Sequence, residues 1–154
     1  PQGNPKTLEF NCRFGDPETQ PIMMRLQSDL VDLVEAALAE KLDVTTTQWD
    51  NRVALGVVMA AANYPDEPQK GDIITGIDAA QATGAKVFQA GTANDDHGNI
   101  ITSGGRVLCI TALGATTEQA QQAAYTALRE VHFNGTFYRT DIGYRAVERE
   151  QKRK

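Results

Sequence analysis

Between Arg52 and Ala62 the sequence is nearly unbroken apolar, Val53-Ala54-Leu55-Gly56-Val57-Val58-Met59-Ala60-Ala61. A strand of this composition is stable only when both of its faces are covered, so the run predicts the buried strand of a layered fold; its alanines leave a helical reading open. The chain has the material for such layers. Its 154 residues are 41% apolar and 23% charged. A chain of this size buries roughly 68–70% of its unfolded surface and needs neither disulfides nor metals to hold a core. Collagenous, disordered and mini-protein classes are excluded, and no apolar run approaches the roughly 20 residues of a membrane span. The formal charge of −5 argues against general nucleic-acid binding. That charge is uneven, with +3 on Tyr138 to Lys154 and −8 on the rest. Cys12 and Cys109 both sit in apolar sequence, which predicts buried thiols in a reducing compartment and hence a cytoplasmic protein.

Upstream of the apolar run, Leu8, Phe10, Cys12 and Phe14 alternate with Glu9, Asn11, Arg13 and Gly15, the period-2 pattern of a strand with one apolar face. Pro1 to Lys6 is turn-rich and leads straight into this pattern. It reads as a hairpin entered midway, and predicts a longer natural polypeptide upstream. Gly15-Asp16-Pro17 ends the alternation, and Ile22, Leu26, Leu30, Leu33, Val34, Ala37 and Leu38 then recur at helical spacing. This predicts one helix of about five turns. Leu42 to Asp50 reads as a connector and domain boundary. Beyond the loop Tyr64 to Gly71, strands are expected at Asp72 to Ile77, Lys86 to Thr92, Ile100 to Thr102 and Arg106 to Leu113, with Asn94 to Asn99 as a hairpin connection. Thr116 or Thr117 caps a helix with Ala120, Ala123, Ala124, Ala127, Leu128 and Val131 on one face and Gly135 at its end, and a short charged helix follows Asp141. The class is α/β, with a mixed, largely antiparallel sheet and two main helices.

On the predicted first strand, Glu9, Asn11 and Arg13 share one face. A carboxylate and an amide carbonyl are oxygen ligands of the kind Mg²⁺ accepts alongside water and phosphate, and an arginine one step further on suits a transferring phosphoryl group. Taken alone, E-x-N-x-R equally fits a solvent-facing strand. The longer run Glu9-Phe10-Asn11-Cys12-Arg13-Phe14-Gly15-Asp16-Pro17-Glu18-Thr19-Gln20 resembles the metal-binding strand of the phosphoribosylamine-glycine ligase (glycinamide ribonucleotide synthetase) family of ATP-grasp enzymes. Gly56-Val57-Val58-Met59-Ala60, Lys86 to Thr92, Thr102-Ser103-Gly104-Gly105-Arg106-Val107-Leu108 and Arg139 to Ala146 are similar to the same family. The resemblance therefore covers essentially the whole chain. R-F-G-D-P-E, G-G-R-V-L and D-I-G in order are specific to the family, whereas E-x-N-x-R is shared with carboxylating ATP-grasp enzymes.

The resemblance implies the carboxy-terminal part of a ligase. Residues 1–48 would be the last strand and helix of the ATP-grasp domain, and 49–154 a small C-terminal domain. Its substrates would be glycine, phosphoribosylamine and ATP, its cofactor Mg²⁺ or Mn²⁺, and its partner the remainder of the same polypeptide. Carried over residue by residue, Glu9 and Asn11 match the metal ligands and Arg13 the position expected to contact transferring phosphate or substrate. Asp16, where the chain turns from the strand into a helix, is the second catalytic candidate, placed to orient an amine. Arg106 and Lys86 are the candidates for the substrate's phosphate, Arg106 because two glycines before it permit a close approach of backbone. Lys86, Arg139 and Arg145 are lesser candidates for the same anion, and surface charge is the more ordinary account of each. Asp141 is expected to cap the last helix, His97 to sit in the hairpin loop, and His132 to end a helix. The chain alone is expected to be inactive. The alternative is a free-standing, non-catalytic binding module derived from the same domain, separated from the first reading by nucleotide-binding residues upstream in the gene.

Overall fold

The computed structural model describes Gly3 and residues 5–152. Among the described residues there are five α-helices, α1 (Thr19–Arg25), α2 (Leu30–Leu38), α3 (Ile77–Ala82), α4 (Thr117–Leu128) and α5 (Tyr144–Gln151). The strands are β1 (Val53–Ala60), β2 (Lys86–Gln89), β3 (Thr92–Asn94), β4 (Ile100–Thr102) and β5 (Arg106–Gly114). The α/β class and the antiparallel sheet agree with the sequence reading: β5 lies between β1 and β2 and pairs antiparallel with both, while β3 and β4 form a separate hairpin. The apolar run is a strand, β1, and it has cover on both faces.

Alternation along β1 divides the sheet. Leu55, Val57 and Met59 face α4 and form the core with Leu108, Ile110, Ala112, Ala120, Ala124, Ala127 and Leu128. The helix that supplies the alanines is capped as its sequence predicts, the Thr116 hydroxyl accepting from the Gln119 amide. Small residues on its inner face let α4 lie close to the sheet. On the opposite face, Gly56 makes room for α1. A Cβ there would lie 3.0 Å from Cys109 Sγ and 3.3 Å from Pro21 Cγ, so this glycine lets the first turn of α1 rest on the strand.

Several sequence expectations are corrected. Residues 5–14 form no strand, and Leu8 and Phe10 are 97% and 89% exposed. The alternation is present, but a strand needs a hydrogen-bonded neighbour, and among the described residues none pairs with this segment. Cys12 is accordingly exposed, not turned to a core, whereas Cys109 is buried. The single helix expected from Pro21 to Leu38 is two. Leu26 turns extended and bridges to Trp49, and the Asp29 carboxylate caps a new helix by accepting from the Val31 amide at 2.7 Å. The expected strand Asp72 to Ile77 contributes only isolated bridges at Ile73 and Thr75, and Ile77 opens α3. Helix α4 stops at Leu128, well before Gly135, and His132 lies beyond it, bridged to Thr75. Asp141 does not cap α5, whose N-cap is Gly143 at φ +86°.

Candidate functional site

The side chain of Arg106 depends on an irregularity in the sheet. Met59 stands opposite Leu108, but the next residue, Ala60, stands opposite Arg106, leaving Val107 as an extra residue in β5. Strict alternation would have placed Arg106 on the α4 side with Leu108. The extra residue turns it to the face of Gly56, Val58 and Ala60, a re-aiming typical of β-bulges. There it borders a cleft of about 350 Å³ that is also lined by Pro17, Tyr64, Phe137, Tyr138, Arg139 and Ile142.

Three contacts hold the guanidinium. Nε donates to the Tyr64 hydroxyl at 2.9 Å, and Nη1 donates to the Asp16 backbone carbonyl at 2.8 Å and to its carboxylate at 3.1 Å. Asp16 reaches Arg106 because Pro17 and α1 lie over the Gly56 side of the sheet, so two motifs 90 residues apart in sequence meet at one point. The Tyr64 hydroxyl first, and the Asp16 carboxylate after it, hold the Arg106 pKa above the ordinary arginine value against partial burial. Both side chains of the ion pair remain accessible, at 40% for Arg106 and 53% for Asp16. An exposed ion pair adds little stability, so its charges are available for exchange with a ligand's.

The glycines before Arg106 serve a purpose other than the expected one. A Cβ on Gly105 would collide with the Tyr64 ring, and Gly104 packs on Gly91, whose carbonyl accepts from the amides of Ser103 and Gly104. The space they free is filled by the protein itself, not left for a ligand. Tyr64 is a site residue that the sequence reading passed over within a loop; its only signal was an aromatic side chain inside the turn Asn63-Tyr64-Pro65.

The other candidates are dispersed. Lys86 is exposed on the edge strand β2, opposite Thr111. Five residues of β5 separate that position from Arg106, roughly 17 Å at about 3.4 Å per residue, and Lys86 does not line the cleft. Arg139 lines it but is held in a two-point ion pair with Asp141, at 2.9 and 2.8 Å, which lowers the Asp141 pKa. Tyr125 fixes this turn, its hydroxyl donating to the Arg139 carbonyl and accepting from the Ile142 amide. Arg145 stacks on Tyr144. Glu9, Asn11 and Arg13 are exposed, and Arg13 donates to the Phe14 carbonyl at 3.0 Å. Among the described residues no group of three or more His, Cys, Asp or Glu side chains gathers as a metal cluster. His97 lies exposed in the β3–β4 turn, where the Asp95 carboxylate accepts from the amides of His97 and Asn99.

Comparison with known proteins places this geometry in a family. Residues 54–145 match the model of the phosphoribosylglycinamide synthetase C domain. The chain is 61% identical over 149 residues to a phosphoribosylamine-glycine ligase of Pseudomonas putida, covering 97% of this chain and 34% of that protein. It is 56% identical over 150 residues to the enzyme of the same name from Escherichia coli K12, covering 97% and 35%. The crystal structure of phosphoribosylamine-glycine ligase from Thermotoga maritima superposes with a TM-score of 0.71 at 37% identity, covering 92% of this chain and 34% of that one. The chain thus spans about a third of the length of the relatives it matches. With the C-domain model matched over residues 54–145, which include Arg106, and 61% identity to a ligase over 97% of the chain, the chain belongs to the phosphoribosylglycinamide synthetase family.

Proposed function

We propose that this chain is the carboxy-terminal part of a phosphoribosylamine-glycine ligase, an ATP-dependent carbon-nitrogen ligase that joins glycine to 5-phosphoribosylamine to give glycinamide ribonucleotide in purine biosynthesis. The observation that carries the reading is that 61% identity extends over 97% of the chain, beyond the matched C domain and into the Glu9 to Asp16 segment. In this reading residues 1–48 belong to the ATP-grasp domain and 49–154 form the C-terminal domain. The remainder of the same polypeptide completes the site, and the enzyme is cytoplasmic.

The residues fit a divalent ion by their chemistry. Glu9 and Asn11 offer a carboxylate and an amide oxygen, and two protein oxygens with water and phosphate make up the usual Mg²⁺ set. Mg²⁺ or Mn²⁺ would neutralise charge on the ATP phosphates. Arg13 would neutralise charge on the transferring phosphoryl group. The glycine carboxylate attacks the γ-phosphorus of ATP, ADP leaves, and the amine of phosphoribosylamine then displaces phosphate from the resulting glycyl phosphate to form the amide. Phosphoribosylamine carries an anion at one end and an amine at the other. Arg106 and Asp16 side by side suit that pairing, Arg106 taking the phosphate and Asp16 orienting the amine as the ion pair opens.

Arg106→Lys in the full-length ligase tests the assignment. Lysine keeps the charge but loses the fork. The KM for phosphoribosylamine should rise about 10- to 150-fold, the loss of a charged hydrogen bond of about 1.5–3 kcal/mol. The KM for glycine and ATP should stay as they are. An unchanged KM for phosphoribosylamine would remove Arg106 from the substrate site.

A further inference from the structure

Tyr64 has a fixed seat. The loop that bears it leaves β1 and is closed at its base, with the Ala61 amide donating to the Gly105 carbonyl at 2.9 Å and the Gln69 amide to the Ala62 carbonyl at 2.9 Å. Within the loop the Tyr64 amide donates to the Ala61 carbonyl, and the Asp66 amide to the Asn63 carbonyl at 2.9 Å. The ring lies over Gly105, where any side chain would displace it, and its centroid is 6.0 Å from the Arg106 guanidinium carbon. Its hydroxyl accepts from Nε. The backbone of the Gly104-Gly105-Arg106 turn and the side chain of Arg106 are thus both registered against one aromatic residue.

Arginine has long, rotamer-rich freedom, and holding it in one orientation before a ligand arrives lowers the cost of binding. The Asp16 carboxylate cannot supply that hold during binding, since its own charge competes with an anion for Nη1, and the Asp16 carbonyl that also accepts from Nη1 occupies the end of the fork that the ligand needs. Tyr64 can, because it is neutral and grips Nε, leaving Nη2 and the end of the fork for the ligand. We infer that Tyr64 is the positioning residue of this site, orienting the Arg106 guanidinium for the phosphate of the phosphoribosyl substrate through Nε and through the Gly105 seat. The inference rests on the function proposed above, in which Arg106 meets that phosphate.

A double-substitution cycle in the full-length ligase tests it, with steady-state KM and kcat for phosphoribosylamine as the readout. Tyr64→Phe keeps the ring on Gly105 and removes only the acceptor, so the thermal midpoint should hold while the KM for phosphoribosylamine rises about 3- to 10-fold. The KM for glycine should not move, and kcat should change little. In the Arg106→Lys background the same substitution should add nothing, because there is no Nε left to hold. A Tyr64→Phe effect of equal size in both backgrounds would overturn the inference, as would a wild-type KM in Tyr64→Phe alongside a raised KM in Arg106→Lys. If Arg106→Lys leaves the KM unchanged, the phosphate assignment fails and the inference fails with it.

Discussion

Two phenylalanines that look alike in sequence should respond to truncation to very different degrees. Phe133 is 7% exposed and belongs to the core, whereas Phe10 is 89% exposed although it sits in the most regular alternation of the chain. Removing a buried phenyl ring forfeits its transfer free energy and leaves a cavity, together about 3–5 kcal/mol. At about 2–4 °C per kcal/mol for a chain of this size, Phe133→Ala should lower the melting temperature by roughly 6–20 °C. Phe10→Ala in the 154-residue chain should cost less than about 0.5 kcal/mol, the usual range for surface sites. Thermal and urea unfolding followed by circular dichroism measure the two quantities. The longer polypeptide provides the second half of the test. If residues 5–14 pair in the ATP-grasp domain there, as proposed, their amides should be protected from hydrogen exchange in the full-length ligase and unprotected in the 154-residue chain. A loss above about 1 kcal/mol for Phe10→Ala in the short chain would refute the exposed placement. Equal, fast exchange of these amides in both proteins would refute the pairing.

Cys12 is exposed and Cys109 is 2% exposed, with burial pushing the Cys109 thiol above its ordinary pKa. Since a raised pKa keeps the thiol protonated to higher pH, one thiol should react with a disulfide reagent at pH 8 and the second only after denaturation; two fast equivalents in the native chain would contradict the burial of β5. In the full-length ligase, Glu9→Gln should raise the Mg²⁺ concentration for half-maximal glycine-dependent ADP release by roughly tenfold, the loss of one charged contact. A wild-type Mg²⁺ profile would remove Glu9 from the metal site.

Local chemistry was enough for β5, the β3–β4 turn and the start of α4, because each is written in adjacent residues: an apolar run, an Asp and Gly turn, a threonine cap before spaced alanines. For β1 it left a helix open, and pairing with β5 decided the strand. The break between α1 and α2 was missed, because the apolar repeat continues across Asp29, the residue whose side chain caps the second helix. The family was readable from ordered motifs, including R-F-G-D-P-E and G-G-R-V-L, because such strings are contiguous. What tertiary structure alone decided was how distant segments meet. The alternation of Leu8 to Phe14 meets the local requirement for a strand, but a strand also needs a neighbour, and alternation cannot say where one lies. Arg106 points into the cleft only because one extra residue opposite β1 reverses its side, a register event set by pairing and invisible in the order of residues. Asp16 and Tyr64 reach it from 90 and 42 positions away. Their meeting depends on α1 resting at Gly56 and on a ring seated over Gly105, contacts that exist only once the sheet has formed.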